Sequence, residues 1–238
     1  MDLINYLIKE VTWQKSVLFL LLSAGPTLLW LLVCLRFDRP APEPKIQILK
    51  TFFWGAFITI PIVFIAGYLS GLIAGSSFLS ALAIILILSF LIDGLIEELV
   101  KYVILRFRVV KSLYFDELRD GFIYGMVLGL GLAFVENILY GFISGGIVEG
   151  ASTILIRGFT TTFLHFLTGG IIGYYLGLVK FHSKNNFVAI QGLLLAILIH
   201  GLYNTIVRFG WWWNIIPLAV LLLVTYIFIL TKIKTLKD

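Results

Sequence analysis

Residues 93–102 read DGLIEELVKY and interrupt an otherwise apolar run. Each charge at the centre of a bilayer costs about 2.5–3.5 kcal/mol on the insertion scale, so such a stretch needs pairing, neutralisation or water. On a helix, Asp93, Glu97 and Lys101 are spaced at i, i+4 and i+8 and share one face, and Glu98 lies one turn before Lys101. The stretch therefore predicts either a polar site inside a membrane helix or a helix end at the membrane interface.

The composition is that of a polytopic membrane protein. Of 238 residues, 60% are hydrophobic and 13% are charged, with a mean hydropathy of +1.04, whereas soluble domains average about 45–50% apolar and about 25% charged residues. The single cysteine, Cys34, excludes an intramolecular disulfide and a cysteine-based metal cluster. Basic loops in a membrane protein indicate topology, so we expect the lipid bilayer as a partner and no nucleic acid.

Apolar runs long enough to cross a bilayer predict about seven transmembrane helices in one all-α membrane domain over residues 1–238. Residues 1–75 carry no recognisable motif, residues 76–210 form a motif-bearing core, and residues 211–238 contribute a C-terminal helix. A short interfacial helix is predicted at the N-terminus. In chain order, this helix and the seven spans cover residues 3–14, 16–35, 50–73, 78–105, 120–143, 154–179, 187–209 and 212–233.

Basic residues alternate between the two sides of these helices. Loops after the first, third, fifth and seventh helices carry most of the lysines and arginines, which predicts that this side is cytoplasmic. We therefore predict a multi-pass protein of the cell membrane with its N-terminus outside and its C-terminus in the cytoplasm. With these boundaries Glu97 and Glu98 lie toward the cytoplasmic end of the third helix, a depth that does not favour cleavage at the outer face.

The fourth and fifth helices carry a glycine at every fourth position. Small residues at this spacing let membrane helices approach backbone to backbone, which predicts close packing of the two helices. The residues concerned are Gly121, Gly125, Gly129, Gly169, Gly173 and Gly177.

Polar side chains also interrupt the fourth, fifth and sixth helices. Each alone is explained by a structural hydrogen bond, and Arg157, near the start of the fifth helix, can reach the interface by snorkelling. Together with residues 93–102 they predict one water-accessible cavity formed by helices three to six, which suits an intramembrane active site or an ion pathway. The other interrupting residues are Glu136, Asn137, His165, His200 and Asn204.

Two hydrolytic chemistries fit these side chains. A glutamate in a poorly solvated pocket can activate water, with histidine and asparagine donating to the oxyanion. Two histidines and a glutamate can instead hold zinc while a second glutamate acts as the base. Because no His-Glu-x-x-His helix is present, the sequence slightly favours the glutamate mechanism, and the expected cofactor is none or zinc.

Outside hydrolysis, a proton-coupled transporter and a non-catalytic scaffold or immunity-type protein are the alternatives.

The ordered set of motifs resembles the PrsW family of membrane proteases. More distantly it is similar to CAAX prenyl endopeptidases and bacteriocin-processing membrane proteins. The similarity covers about residues 90–209, and the first two helices and the last carry no matching motif. The motifs are Glu97-Glu98-x-x-Lys101, Phe-Val-Glu136-Asn137-x-x-Tyr140, His165 in a glycine-rich helix, and His200-x-x-x-Asn204.

This resemblance implies an intramembrane endopeptidase that acts on a membrane-associated protein. Analogy with the PrsW family implies an anti-sigma factor as the substrate. Analogy with the prenyl endopeptidases implies a lipidated protein instead. The resemblance also implies that Glu97 and Glu98 activate water. It makes His165 and His200 oxyanion donors or metal ligands, and Asn204 the second donor. If a metal is used, the ligands expected are His165, His200 and either Glu98 or Glu136. Glu136 is otherwise expected as a further catalytic carboxylate.

Overall fold

The computed structural model describes residues 11–38, 42–210 and 212–235, and over these ranges it contains helices and no β-strand. The all-α polytopic bundle predicted from the sequence is confirmed. Of the described helices, six are long and apolar enough to cross a membrane. Most of the interfacial helix predicted at residues 3–14 lies outside the described ranges. The helices are α1 (Trp13–Phe37), α2 (Lys45–Ala74), α3 (residues 81–109), α4 (Leu118–Ile143), α5 (Ile147–Ser183), α6 (Asn186–Arg208) and α7 (Ile215–Thr235).

Two helices begin at a polar residue whose side chain caps the first turn. Thr12 accepts a hydrogen bond from the backbone of Lys15 at the start of α1, and Asn185 accepts one from the backbone of Phe187 at the start of α6. Such caps satisfy donors that the first turn of a helix leaves without an internal partner. Helix α1 therefore begins before its hydrophobic segment, and α6 begins within one residue of its predicted start.

Helix α3 is a chain of α-helical and π-helical turns that continues beyond its predicted end. The stretches are Ala81–Leu86, Ile87–Gly94, Leu95–Ile104 and Leu105–Val109, the second and fourth being π-helical. The predicted end at Leu105 was wrong because the two arginines that follow lower the local hydropathy without ending the helix. With the helix extended, Glu97 lies near its middle rather than toward the end that the basic loops predict to be cytoplasmic.

Helix α5 begins earlier than predicted and bends at Thr160, which separates Ile147–Phe159 from Thr161–Leu178. Thr160 has φ −109° and ψ −68°, away from the usual helical values. The bend lets the first segment pack against α1 and α4 while the second runs beside α4. Arg157, three residues before the bend, is consequently part of a helix that turns inward.

Close glycine packing between α4 and α5 is confirmed. A Cβ added at Gly121 would lie 2.3 Å from the carbonyl oxygen of Gly173, and one at Gly125 would lie 2.1 Å from that of Gly169. A Cβ at Gly129 would lie 2.1 Å from the carbonyl oxygen of His165. The backbone that carries His165 is therefore fixed directly against α4, and α4 and α5 are the two most deeply buried of the six long apolar helices described.

Candidate active site

Four of the predicted site residues meet at the centre of the bundle. Glu97 Oε2 lies 3.8 Å from His165 Nε2 and 3.9 Å from His200 Nε2. The two imidazole rings stand nearly perpendicular, with centroids 5.1 Å apart. Glu97, Glu98, His165 and His200 are all buried, so α3, α5 and α6 bring their polar groups to one enclosed point.

Glu98 lies behind this group and organises it. Its Oε1 accepts a hydrogen bond from Lys101 Nζ at 2.7 Å and one from Thr168 Oγ1 at 3.1 Å, and it lies 2.6 Å from His200 Nδ1. Lys101 Nζ also lies 3.1 Å from His165 Nδ1. Because Lys101 is 1% exposed, its charge is compensated inside the protein by Glu98 and not by water. Thr168 was not predicted, since a threonine in an apolar helix gives no distinctive sequence signal.

Glu136 approaches the imidazoles from α4. Its Oε2 lies 3.0 Å from His165 Nε2, and its Oε1 lies 2.9 Å from Arg157 Nη2. Arg157 Nε donates to Asn137 Oδ1 at 3.1 Å, and the guanidinium lies 3.8 Å from the centre of the Tyr140 ring. The snorkelling interpretation of Arg157 was therefore wrong, because a carboxylate, an amide and an aromatic face hold its side chain inside the bundle.

Asn204 is one turn beyond His200 and lines the same cavity, but its side-chain amide is hydrogen-bonded to a carboxylate of α3. Its Nδ2 donates to Asp93 Oδ2 at 3.1 Å. The same carboxylate pairs with Arg208 Nη2 at 2.7 Å, and Arg208 Nη1 donates to Ser89 Oγ at 3.3 Å. Asp93 and Arg208 were not among the predicted site residues, although the i, i+4 spacing from Asp93 to Glu97 was a usable signal.

Two adjoining cavities, of about 230 and 200 Å³, lead to these groups. Helix α2 adds a wall that was not predicted, because its contribution is small apolar residues and one serine. The cavities lie toward the C-terminal ends of α2, α4 and α6, on the same side as the start of α1. The residues shared by both are Asp93, Glu97, Glu136, Tyr140 and Arg208.

Glu97, His165 and His200 form a group that could hold a metal ion. Their ligand atoms all lie within 4.8 Å of one another. Glu97 Oε2 is buried and accepts no hydrogen bond from the described residues, which is costly unless a cation or water satisfies it. Two imidazole nitrogens and one carboxylate are a ligand set that suits zinc in catalytic sites. Glu98 against the other nitrogen of His200 supplies the outer carboxylate that often orients a metal-binding histidine. The donor set therefore fits a divalent metal. Its carboxylate ligand is Glu97, whereas the sequence suggested Glu98 or Glu136.

A family model described as "PrsW family intramembrane metalloprotease" matches residues 43–231. The chain belongs to the PrsW family. The Protease PrsW of Clostridioides difficile (strain 630) is 31% identical over 231 residues, covering 93% of this chain and 90% of that protein. The Protease PrsW of Bacillus subtilis (strain 168) is 34% identical over 212 residues, covering 86% and 91% of the two chains. No solved structure shows a significant match.

Membership of the PrsW family makes this chain an intramembrane endopeptidase with a membrane-protein substrate. The predicted multi-pass membrane protein is confirmed at this level. The description of the family as metalloproteases, together with the Glu97, His165 and His200 group, weighs against the slight preference for metal-free hydrolysis. That preference rested on the lack of a compact zinc motif, whereas here each donor comes from a different helix.

Proposed function

We propose that this PrsW-family protease binds zinc through His165, His200 and Glu97 and hydrolyses a peptide bond of a membrane-anchored protein. The observation that carries the proposal is the buried Glu97 Oε2, which accepts no hydrogen bond from any residue in the described ranges and faces the Nε2 atoms of both histidines. A bound zinc ion would polarise the scissile carbonyl and lower the pKa of the attacking water.

The surrounding residues support distinct roles in this hydrolysis. Glu136 accepts a proton from the attacking water as the oxygen bonds to the scissile carbon, then delivers it to the leaving nitrogen as the carbon–nitrogen bond breaks. Arg157, paired with Glu136 at 2.9 Å, orients that carboxylate. Glu98 positions His200 through its 2.6 Å contact with Nδ1.

Residues at the cavity wall would position the substrate. Asn204 lines one of the cavities and is held by Asp93, so its amide is oriented before a substrate arrives. We propose that Asn204 hydrogen-bonds the substrate backbone or the developing oxyanion, as a preorganised donor. Of the two roles that the family resemblance implies for His165 and His200, oxyanion donor or metal ligand, the proposal adopts metal binding, because their Nε2 atoms face Glu97.

The position of the cavity supports a proposal for the side of cleavage, and family analogy supports one for the substrate. With the orientation predicted from the basic loops, the cavity opens toward the outer half of the membrane. This supports cleavage of a membrane-anchored protein near its outer end, and by family analogy we propose an anti-sigma factor. Carboxylate, amide and guanidinium groups around the cavity suit an extended peptide better than a prenyl chain, which makes a lipidated substrate the second choice.

Reconstitution of the purified protein with a membrane-anchored anti-sigma factor tests this function. Metal content is measured on the same samples that are assayed for cleavage. Glu97→Gln should lose both bound zinc and cleavage, whereas Glu136→Gln should keep zinc and lose cleavage. Full cleavage by metal-free protein would overturn the zinc proposal, and cleavage by Glu97→Gln at the unmodified rate would overturn the role of Glu97.

A further inference from the structure

A third cavity, of about 340 Å³, lies at the opposite end of the bundle from the active-site opening. Its walls are the apolar side chains of α3 and α5, and its rim carries basic groups from three segments of the chain. The basic residues are Arg106 on α3, Lys111 in the loop that follows, and Lys180 near the end of α5. Asn186, the first residue of α6, completes the rim.

The positive charge of this rim has no carboxylate partner. Among the described residues, no carboxylate lies within 4.0 Å of Arg106, Lys111 or Lys180. Arg106 Nη2 donates to Asn186 Oδ1 at 2.8 Å, and Lys180 Nζ donates to the carbonyl oxygens of Val110 and Phe115. These are neutral acceptors, so three cations at one cavity remain available to an anion.

The apolar part of the cavity distinguishes it from a site for a small soluble anion. Phe107, Val110, Leu176 and Val179 line it below the basic rim. The rim lies where membrane helices end, on the side that the basic loops predict to be cytoplasmic. Basic pockets between transmembrane helices on this side are suited to anionic lipid headgroups, which the negative surface potential of the leaflet also enriches.

The cavity also joins the three helices that carry the metal-binding residues. Arg106 follows Glu97 on α3 by about 14 Å of helix, and Val179 follows His165 on α5 by about 21 Å. Asn186 begins α6, which carries His200 a similar distance further along. A ligand that contacts all three helix ends would restrict their relative movement.

We propose that this cavity binds an anionic phospholipid, with the headgroup phosphate at Arg106, Lys111 and Lys180 and an acyl chain along the apolar wall. The bound lipid joins the cytoplasmic ends of α3, α5 and α6 and thereby stabilises the arrangement of the metal-binding helices. Lipid binding itself does not depend on catalysis, so the Glu97→Gln variant binds the same lipid.

The test compares the intact protein in nanodiscs of phosphatidylcholine alone with nanodiscs containing phosphatidylglycerol. Thermal stability is measured in both, and lipid retention after detergent extraction is measured by native mass spectrometry. Phosphatidylglycerol should raise the melting temperature and be retained preferentially. Lys111→Gln removes one positive charge from the rim and should weaken phosphatidylglycerol retention about five-fold. Arg106→Gln should weaken this retention at least as strongly.

Arg108→Gln is the matched control, because Arg108 is on the same helix but lies against Trp54, outside this cavity. It should leave retention unchanged. Equal losses in all three variants would show that only general surface charge matters and would overturn the site. Equal stabilisation by inorganic phosphate in neutral-lipid nanodiscs would overturn the lipid assignment in favour of a free phosphate.

Discussion

Among the residues that the structure describes, two groups of side chains have the spacing of metal ligands, and they differ in their surroundings. Glu97, His165 and His200 are buried, with Lys101 and Arg157 paired to neighbouring glutamates. The second group, which we call the loop carboxylates, consists of Glu43, Asp116 and Asp120 at the other end of the bundle. It contains no histidine, and Asp116 is exposed.

Glu43, one of the loop carboxylates, holds its proton to a higher pH than an ordinary glutamate does. Burial and the neighbouring carboxyl of Asp120 raise the pKa of Glu43 from 4.5 to about 8. Tyr124 also donates a hydrogen bond to Glu43. Burial likewise raises the pKa of Asp38 and of Glu117 nearby. The two groups therefore share ligand spacing but differ in donor type and in neighbouring cations, and the histidine nitrogens make the buried group the better zinc site.

The largest expected effect separates the two groups by activity. Glu136→Gln should lower the rate of peptide cleavage by about 10²–10⁴-fold, the usual contribution of a general base. Glu43→Gln should leave the rate unchanged, because Glu43 lies outside the active-site cavities. Single-turnover cleavage of a reconstituted substrate measures both, and comparable losses in the two variants would remove the functional distinction.

A second expected effect concerns the stability of the buried group. Lys101→Met should reduce the free energy of unfolding by about 3–5 kcal/mol, because it leaves Glu98 charged and unpaired in the interior. The double variant Lys101→Met, Glu98→Gln should recover part of that loss, since no isolated charge remains. Denaturant unfolding in detergent measures both variants. Equal stability of the single and double variants would mean that Glu98 and Lys101 do not form a coupled pair.

The single variant Glu98→Gln tests whether Glu98 only orients His200. An amide can still hydrogen-bond His200 but cannot stabilise it electrostatically as a carboxylate does. Zinc affinity should fall by about 10–100-fold, as for other outer carboxylates, while saturating zinc restores most of the cleavage rate. Titration of metal-free protein with zinc measures the affinity. A variant that stays inactive at saturating zinc would show that Glu98 takes part in the chemistry itself.

The smallest expected effect is the pH dependence of the loop carboxylates. Because folding raises the pKa of Glu43 from 4.5 to about 8, its stabilising contribution is complete below pH 4.5 and is lost as the pH rises through 8. The melting temperature should therefore fall between pH 6 and pH 9, and less so in Glu43→Gln. Thermal unfolding in buffers of constant ionic strength measures this. An identical pH dependence in the variant would exclude Glu43 as its source.

The sequence by itself determined the class of the molecule and the inventory of its site. Hydropathy located seven helices, six of which are long and apolar enough to cross a membrane in the described ranges, and Glu97, His165 and His200 fell inside three of the seven. The glycines at every fourth position predicted the close approach of α4 and α5 because only a missing side chain permits it. The order of the motifs was sufficient to indicate the PrsW family.

Only the tertiary structure decided which atoms meet. Glu97 and Glu98 are adjacent in sequence, but they point about 100° apart on a helix, so the rotation of α3 determines which one faces both imidazoles. The bend in α5 directs Arg157 toward Glu136, and the extension of α3 places Glu97 near the middle of that helix. These features arise from packing between helices that are distant in sequence, and periodicity within one helix contains no information about its rotation against its neighbours.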